Sequence, residues 1–359
     1  MMRSIDPTLQ RQELAEQRRK VDFDTYDVTV DELIRRVAGK RIEIAPVYQR
    51  QFRWDASRQS RLIESLLLGI PVPPLFMATN LMPGESAQWE VVDGLQRLLT
   101  LVNFAGDEMA RIAAKLTDAP LRLTGLDKLP AISETTFKDL PVDIRTTLED
   151  RPVKVVVLND KSDLQVRFDL FERLNTGGVV LTDQEVRECV FRGEFMDLLS
   201  ELGGSPDFRT VVRLPQGRWK DGTPEDYVLR FFAFFERYTE FDHSVKDFLN
   251  DFAEFASKSQ NQNERRVIFC RSFSYLADAF RDGIKTRKGI TPVNLFEAVS
   301  VGAALALVQI PQLPRPATVP WLHSERLRGL TTGATNSRPR VTGRIEFCRD
   351  RFLGVPEDV

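Results

Sequence analysis

The run Trp89-Glu90-Val91-Val92-Asp93-Gly94-Leu95-Gln96-Arg97-Leu98-Leu99-Thr100-Leu101 constrains this chain more than any other stretch. It reads as a buried strand that passes through one glycine directly into a helix. Such a junction can hold a phosphate. The helix start offers backbone N–H groups and a positive dipole end, Gly94 admits close approach to the backbone, and Arg97 lies in the first turn to complete a clamp. The same residues also fit a plain helix start, because Asp93 and Gln96 stand in capping-box order, Asp93 as N-cap and Gln96 reaching back. The segment by itself leaves both readings open.

A length of 359 residues is enough for two domains, and 42% hydrophobic with 28% charged residues is the composition of a globular protein with a real core. The net charge of −2 provides no global positive field for DNA or an anionic membrane, so any polyanion site has to be local. Cys189, Cys270 and Cys348 are far apart, lack metal-ligand spacing and do not suggest a disulfide framework, which fits a reducing cytoplasm. Residues 1–20 are polar and charged with no apolar export core, and no stretch reaches the roughly 18 uninterrupted apolar residues of a membrane span. His243 and His323 are isolated, so a zinc centre, a His-Asn-His nuclease and a His-based triad all lack material.

Patterning along the chain predicts a charged helix over 9–20, a strand over 26–30, a helix over 30–38 and a short strand over 41–46. A loop over 48–54, an amphipathic helix over 58–68, and a strand over 75–79 hairpinned to 90–92 follow. The helix after Gly94 is expected to reach about Phe104. Residues 106–150 read as irregular or partly helical, and the β-branched run 153–158 is the strongest strand signal, placed inside the sheet. A helix over 163–174 closes at Asn175-Thr176-Gly177-Gly178, and Thr182 with Glu185 forms a capping box opening a helix to Phe191. Beyond Gly193 the pattern is helical. The aromatic stripe Phe231, Phe232, Phe234 and Phe235 reads as core, since it lacks the interleaved basic residues of a base-stacking platform.

Three polar segments stand out: Tyr48-Gln49-Arg50 with Trp54, Asp93-Gly94-Leu95-Gln96-Arg97, and Phe171 to Gly178 with Leu181-Thr182 and Glu185. In this order, over roughly Val28 to Phe191 or about half the chain, they resemble the N-terminal domain of GmrSD-type, type IV restriction proteins, a family related to the ParB N-terminal and sulfiredoxin fold. Leu95 stands where many relatives place Gln, which removes one side-chain donor.

The resemblance implies an α+β fold with a ParB-like nucleotide-binding domain built on a small mixed sheet (26–192), after an N-terminal extension (1–25), and the helical patterning beyond Gly193 adds an all-helical C-terminal domain (193–359). It also implies nucleotide binding and, in several members, hydrolysis coupled to defence against foreign or modified DNA. On that basis Gln49, Arg50, Gly94, Gln96, Arg97 and Asn175 are expected to bind an NTP (ATP, GTP or CTP). Arg97 would stabilise transition-state charge, and Asp93 would hold Mg²⁺ or orient water. The structural alternatives are an N-capping Asp93 and an Asn175 that simply ends a helix. Tyr48, Trp54, Arg173 and Glu185 are expected to support the site. The locally basic stretch Asn336–Arg344 offers Arg338, Arg340 and Arg344 as DNA or phosphate contacts, against the alternative of a basic loop capping the last helix. The expected activity is a cytoplasmic Mg-dependent NTPase of a restriction or anti-phage system. Its partners would be DNA and a separate nuclease, with no membrane involved. A non-hydrolysing reader of DNA or modified DNA is the alternative.

Overall fold

The computed structural model describes residues 11, 22–44, 54–80, 88–159, 182–285, 289–314, 319–333 and 335–356. The chain divides into two compact units, residues 1–180 and 181–359. Sequence patterning puts the domain boundary at 192/193. The contact division at 180/181 leaves the helix Asp183–Val190 with the second unit.

In the first unit, β1 (Phe23–Thr29) runs straight into α1 (Val30–Ala38), whose start is capped by the Thr29 hydroxyl accepting from the Glu32 N–H. Asp31 and Glu32 in the first turn and Arg35 and Arg36 in the last complement the helix dipole. Next come β2 (Ile42–Glu43) and α2 (Ala56–Leu67), the latter capped by Asp55, which accepts from the Arg58 N–H at 2.7 Å. They are followed by β3 (Leu75–Asn80), β4 (Gln88–Asp93), α3 (Leu95–Ala105), α4 (Glu108–Ala113), α5 (Val142–Glu149) and β5 (Pro152–Leu158). The five strands form one mixed sheet in the order β1-β5-β3-β4-β2. β1 with β5 and β3 with β4 are antiparallel, while β5 with β3 and β4 with β2 are parallel. The expected α+β class with a small mixed sheet is therefore present, and β5 lies inside the sheet. The helices expected over 9–20 and 163–174, and the segment closing the latter, fall outside the described residues apart from residue 11.

One hydrophobic core holds this unit together. Leu33, Ile34 and Val37 of α1, Ile63 and Leu66 of α2, and Leu98, Leu101 and Val102 of α3 cover the sheet face formed by Leu75, Met77, Val91, Val153, Val155 and Val157. Every second residue of β5 is buried there, as a strand with one fully covered face requires. The segment between α4 and α5, opaque in the sequence, is pinned to α2 by buried polar groups. Ser60 Oγ accepts the Thr124 N–H at 2.9 Å, and Glu64 Oε1 accepts the N–H groups of Lys128 and Leu129 at 2.7 and 2.9 Å.

Among its described residues the second unit is helical throughout, with α6 (Asp183–Val190), α7 (Glu194–Gly203), α8 (Pro206–Val211), α9 (Thr223–Arg237), α10 (Val245–Ser257), α11 (Gln262–Ala279), α12 (Val293–Gln309), α13 (Glu325–Thr331) and α14 (Arg338–Phe352). No described helix is long and apolar enough to cross a membrane. Phe231, Phe232 and Phe234 are fully buried, so the aromatic stripe of α9 is core, and Phe269 and Phe273 stack with ring centroids 4.0 Å apart.

Through this core runs a chain of alternating charges. Arg187 pairs with Asp226, Asp226 with Arg230, Arg230 with Glu297, and Glu297 with Arg344. Burial by itself would lower the Arg230 pKa, but Asp226 and Glu297 outweigh it and raise it, so the guanidinium stays charged. This chain corrects one expectation. Arg344 is fully buried against Glu297 and the Thr335 carbonyl, and has no surface to offer DNA. The stretch around it is also no loop, since α14 begins at Arg338.

α12 and α14 approach each other at Gly302, where a Cβ would lie 2.6 Å from Cys348 Cβ and 2.7 Å from the Arg349 nitrogen. Backbone and a Cβ cannot move aside cheaply, so Gly302→Ala is expected to destabilise the protein by about 1–3 kcal/mol. Urea denaturation followed by circular dichroism checks this, and an unchanged midpoint would show that the helices separate freely.

Candidate functional site

The strand-to-helix turn singled out by the sequence is formed by β4 and α3. Asp93 is still a strand residue, paired across the sheet with Phe76, and Gly94 turns the chain in the left-handed region at φ 93°. Gly94 is thus the N-cap of α3, with no side-chain cap bond, and the capping box expected of Asp93 and Gln96 does not form. The left-handed residue moves the cap one position along and leaves Asp93 in the sheet. From there its carboxylate meets Arg97 one turn ahead, with Nη2 donating to Oδ2 at 2.8 Å.

Gly94 also plays a different part from the one expected. A Cβ there would sit 2.4 Å from Leu75 Cδ2 and 3.0 Å from Arg97 Nη2. The space left by the missing side chain is filled by Leu75 and by the guanidinium, so the glycine lets Arg97 fold back over the turn. Arg97 Nη2 donates a second bond, to the Pro74 carbonyl at 3.0 Å, tying the entry of β3 to the exit of β4. Arg97 Nε is buried and has no hydrogen-bond partner. An unmet buried donor on a cation costs about 1–3 kcal/mol or more, which an anion reaching it would recover.

Gln96 faces another way. Its Oε1 accepts the Trp54 N–H at 3.1 Å, while the Trp54 carbonyl accepts from Gln59 Nε2 at 2.8 Å. Gln59 Oε1 in turn accepts from Asn103 Nδ2 at 2.9 Å, and Asn103 Oδ1 accepts from Arg111 Nη1 at 2.7 Å. Both amide side chains are buried. The result is a polar relay from α4 through α3 and α2 to residue 54, where the expected loop over 48–54 ends. In this arrangement Gln96 Oε1 holds the chain at Trp54. Sequence reasoning passed over Gln59, Asn103 and Arg111, although an asparagine within the apolar run Leu98–Phe104 is a signal of a buried polar partner.

Asp93, Gly94, Gln96, Arg97 and Trp54 are thus gathered at one end of the first unit. Tyr48, Gln49, Arg50, Arg173 and Asn175 lie outside the described residues. Glu185 belongs to the second unit, where its carboxylate accepts the Thr182 N–H at 2.8 Å in the expected capping box. Arg338 and Arg340, also in the second unit, donate to backbone carbonyls of Thr239 and of Gly329 and Thr332. Among the described residues no three His, Cys, Asp or Glu side chains converge as a metal site. Asp93 therefore offers a cation one carboxylate, of which Oδ2 is already engaged by Arg97.

Compared with known families, residues 32–192 match the GmrSD restriction endonuclease, N-terminal domain. The matched range takes in the β4–α3 turn, the relay and the capping box of α6. No curated protein matches the chain.

Two substitutions test this architecture. Gly94→Ala meets both the positive φ and the Leu75 contact and is expected to cost about 2–4 kcal/mol. Asn103→Leu strands the Gln59 and Arg111 side chains and is expected to cost about 2 kcal/mol. Both are read as shifts in the urea midpoint, and a Gly94→Ala protein as stable as the wild type would show that the turn is not locked.

Proposed function

We propose that this chain, which belongs through residues 32–192 to the GmrSD-type N-terminal domain family, is a component of a restriction or anti-phage defence system whose first unit binds nucleotide phosphate at the β4–α3 turn. The observation that carries the reading is the Arg97 guanidinium, held over a helix N-terminus by Asp93 and Pro74 with its Nε buried and unpartnered. A fixed guanidinium and a helix start are complementary to a phosphate, and such donors act most strongly on charge that develops in a phosphoryl-transfer transition state. Gln49, Arg50 and Asn175 remain the proposed partners for base, ribose or further phosphate oxygens.

Within this reading Asp93 has two tasks. It aligns Arg97, and its carboxylate would contribute an oxygen to a nucleotide-bound Mg²⁺, which neutralises phosphate charge when present. Hydrolysis would serve regulation, and DNA cleavage would fall to a separate nuclease, because His243 and His323 are the only histidines of the chain. The Asp93–Arg97 ion pair also favours a second reading, binding without turnover, since it occupies the one carboxylate that would act on water or metal.

Phosphate release from ATP, GTP, CTP and UTP with Mg²⁺, with and without DNA, separates these readings. In an NTPase, Arg97→Ala and Asp93→Ala proteins with intact circular dichroism are expected to lose turnover by about 100-fold or more, and Arg97→Lys to recover it only partly. Wild-type protein that binds nucleotide in calorimetry but releases no phosphate supports the non-hydrolysing reading. Absence of binding to all four nucleotides overturns the phosphate site.

A further inference from the structure

The residues around Gly94 encode a self-capped helix, and the fold does not build one. Asp93 and Gln96 flank the β4–α3 turn in capping-box order, yet both side chains are engaged elsewhere. Gly94, as N-cap, brings no side-chain acceptor to the first-turn N–H groups of α3, which a helix cannot satisfy internally. The Asp93 carboxylate is taken by Arg97, Nη2 donating to Oδ2 at 2.8 Å, and Gln96 Oε1 is taken by the Trp54 N–H at 3.1 Å. A backbone N–H can only donate, so it fixes the Gln96 carboxamide with its oxygen committed to Trp54.

Trp54 is held in turn by a relay that runs one way. Arg111 has only donors, and its Nη1 donates to Asn103 Oδ1 at 2.7 Å and to the Asn103 carbonyl at 3.1 Å. The guanidinium is itself anchored on the Asp118 carbonyl. With Oδ1 facing the cation, Asn103 presents Nδ2 to Gln59 Oε1 at 2.9 Å, and Gln59 must then present Nε2 to the Trp54 carbonyl at 2.8 Å. Every bond has the same sense, so the cation on α4 decides the orientation of both buried amides. In a low-dielectric interior such a chain is strengthened by mutual polarisation. Trp54 is thereby clamped at both backbone groups, its carbonyl by Gln59 of α2 and its N–H by Gln96 of α3.

We propose that Gln59, Asn103 and Arg111 are positioning residues that keep the N-terminus of α3 uncapped for an anion. By fixing Trp54 they hold its N–H on Gln96 Oε1. Once Trp54 is released, that oxygen can turn onto the first-turn N–H groups, as a capping-box glutamine does, and compete with a phosphate for them. The fold forgoes the stabilisation of a capping box at this turn while spending buried amides to hold the capping oxygen elsewhere. An external anion gives that arrangement a purpose that a purely structural helix start does not. The inference rests on the phosphate reading of the β4–α3 turn and adds the residues that keep the turn available. A structural role alone would change stability and leave the affinity of the folded protein as it is.

The test is calorimetric titration of the full chain with ATP, GTP, CTP and UTP, with urea denaturation of each variant alongside. Gln59→Leu and Arg111→Gln are each expected to weaken binding to the folded protein about 3- to 10-fold, the equivalent of one hydrogen bond. Arg111→Lys, whose ammonium also has only donors and so keeps the sense of the relay, is expected to stay within about 2-fold of the wild type. In a Gln96→Met background no carboxamide oxygen remains to fall back on the helix, so there Gln59→Leu is expected to change affinity by less than about 2-fold. Arg111→Gln, at the outer end of the relay, carries the test if Gln59→Leu does not fold. Variants that shift the urea midpoint but bind as the wild type does, or a Gln59→Leu effect that persists in full beside Gln96→Met, overturn the proposal. Wild-type protein that binds none of the nucleotides overturns the phosphate site itself, a result distinct from unchanged variants of a protein that binds.

Discussion

A single backbone conformation, the left-handed Gly94, determines how the first unit is joined at the β4–α3 turn. With φ at 93° the chain leaves the sheet and enters α3 without an intervening loop, and the missing Cβ makes room for Leu75 on one side and Arg97 on the other. Arg97 then binds the last residue of β4 and the residue preceding β3, so the hairpin is closed at its open end by one side chain. The register of β3 against β4 shifts between Phe76 and Met77, at the level where Asp93 pairs. An irregularity there re-aims the Asp93 side chain, as bulges beside functional groups commonly do.

Buried polar groups specify the packing of both units, by different means. In the first, neutral amides carry the pattern: Gln59 and Asn103 link three helices to the backbone of Trp54, and Glu64 holds an irregular segment by accepting two backbone N–H groups. In the second, Arg187, Asp226, Arg230, Glu297 and Arg344 alternate in sign through an aromatic core. Such networks stabilise little in net terms, because desolvation offsets much of the Coulomb gain, yet removing one member leaves a buried group unmet. They fix which helices meet.

Features set by local chemistry were legible in the sequence. The strands at 75–79 and 153–158, the helix over 30–38, the helix start at Thr182, and the core role of Phe231, Phe232 and Phe234 all follow from periodicity, capping residues and composition within one element, whereas the helix expected from residue 58 starts two residues earlier, behind Asp55. Features set by a partner distant in sequence were not. Asp93 and Gln96 have capping-box spacing, but a left-handed glycine between them and the backbone of Trp54, 42 residues away, decide where their side chains go. Arg344 sits in a basic stretch, and only the position of Glu297, 47 residues earlier, makes it internal. Of the candidate phosphate site, the sequence located the turn and Arg97 as its cation, but could not supply the relay behind them.

The capacity of an arginine to meet phosphate is set by what the fold has already given it. Arg187, Arg230 and Arg344 are held by buried carboxylates and have no charge to spare. Arg97 is intermediate, since its pairing with Asp93 orients the guanidinium but leaves Nε unmet. Arg326, Arg340 and Arg351 are oriented by a ring or by carbonyls, contacts that direct a cation without neutralising it. A count of basic residues along the chain treats these three classes alike. Sorted by partner, they separate cations that build the fold from cations whose donors remain for an anion, and the phosphate site proposed at Arg97 draws on the second kind.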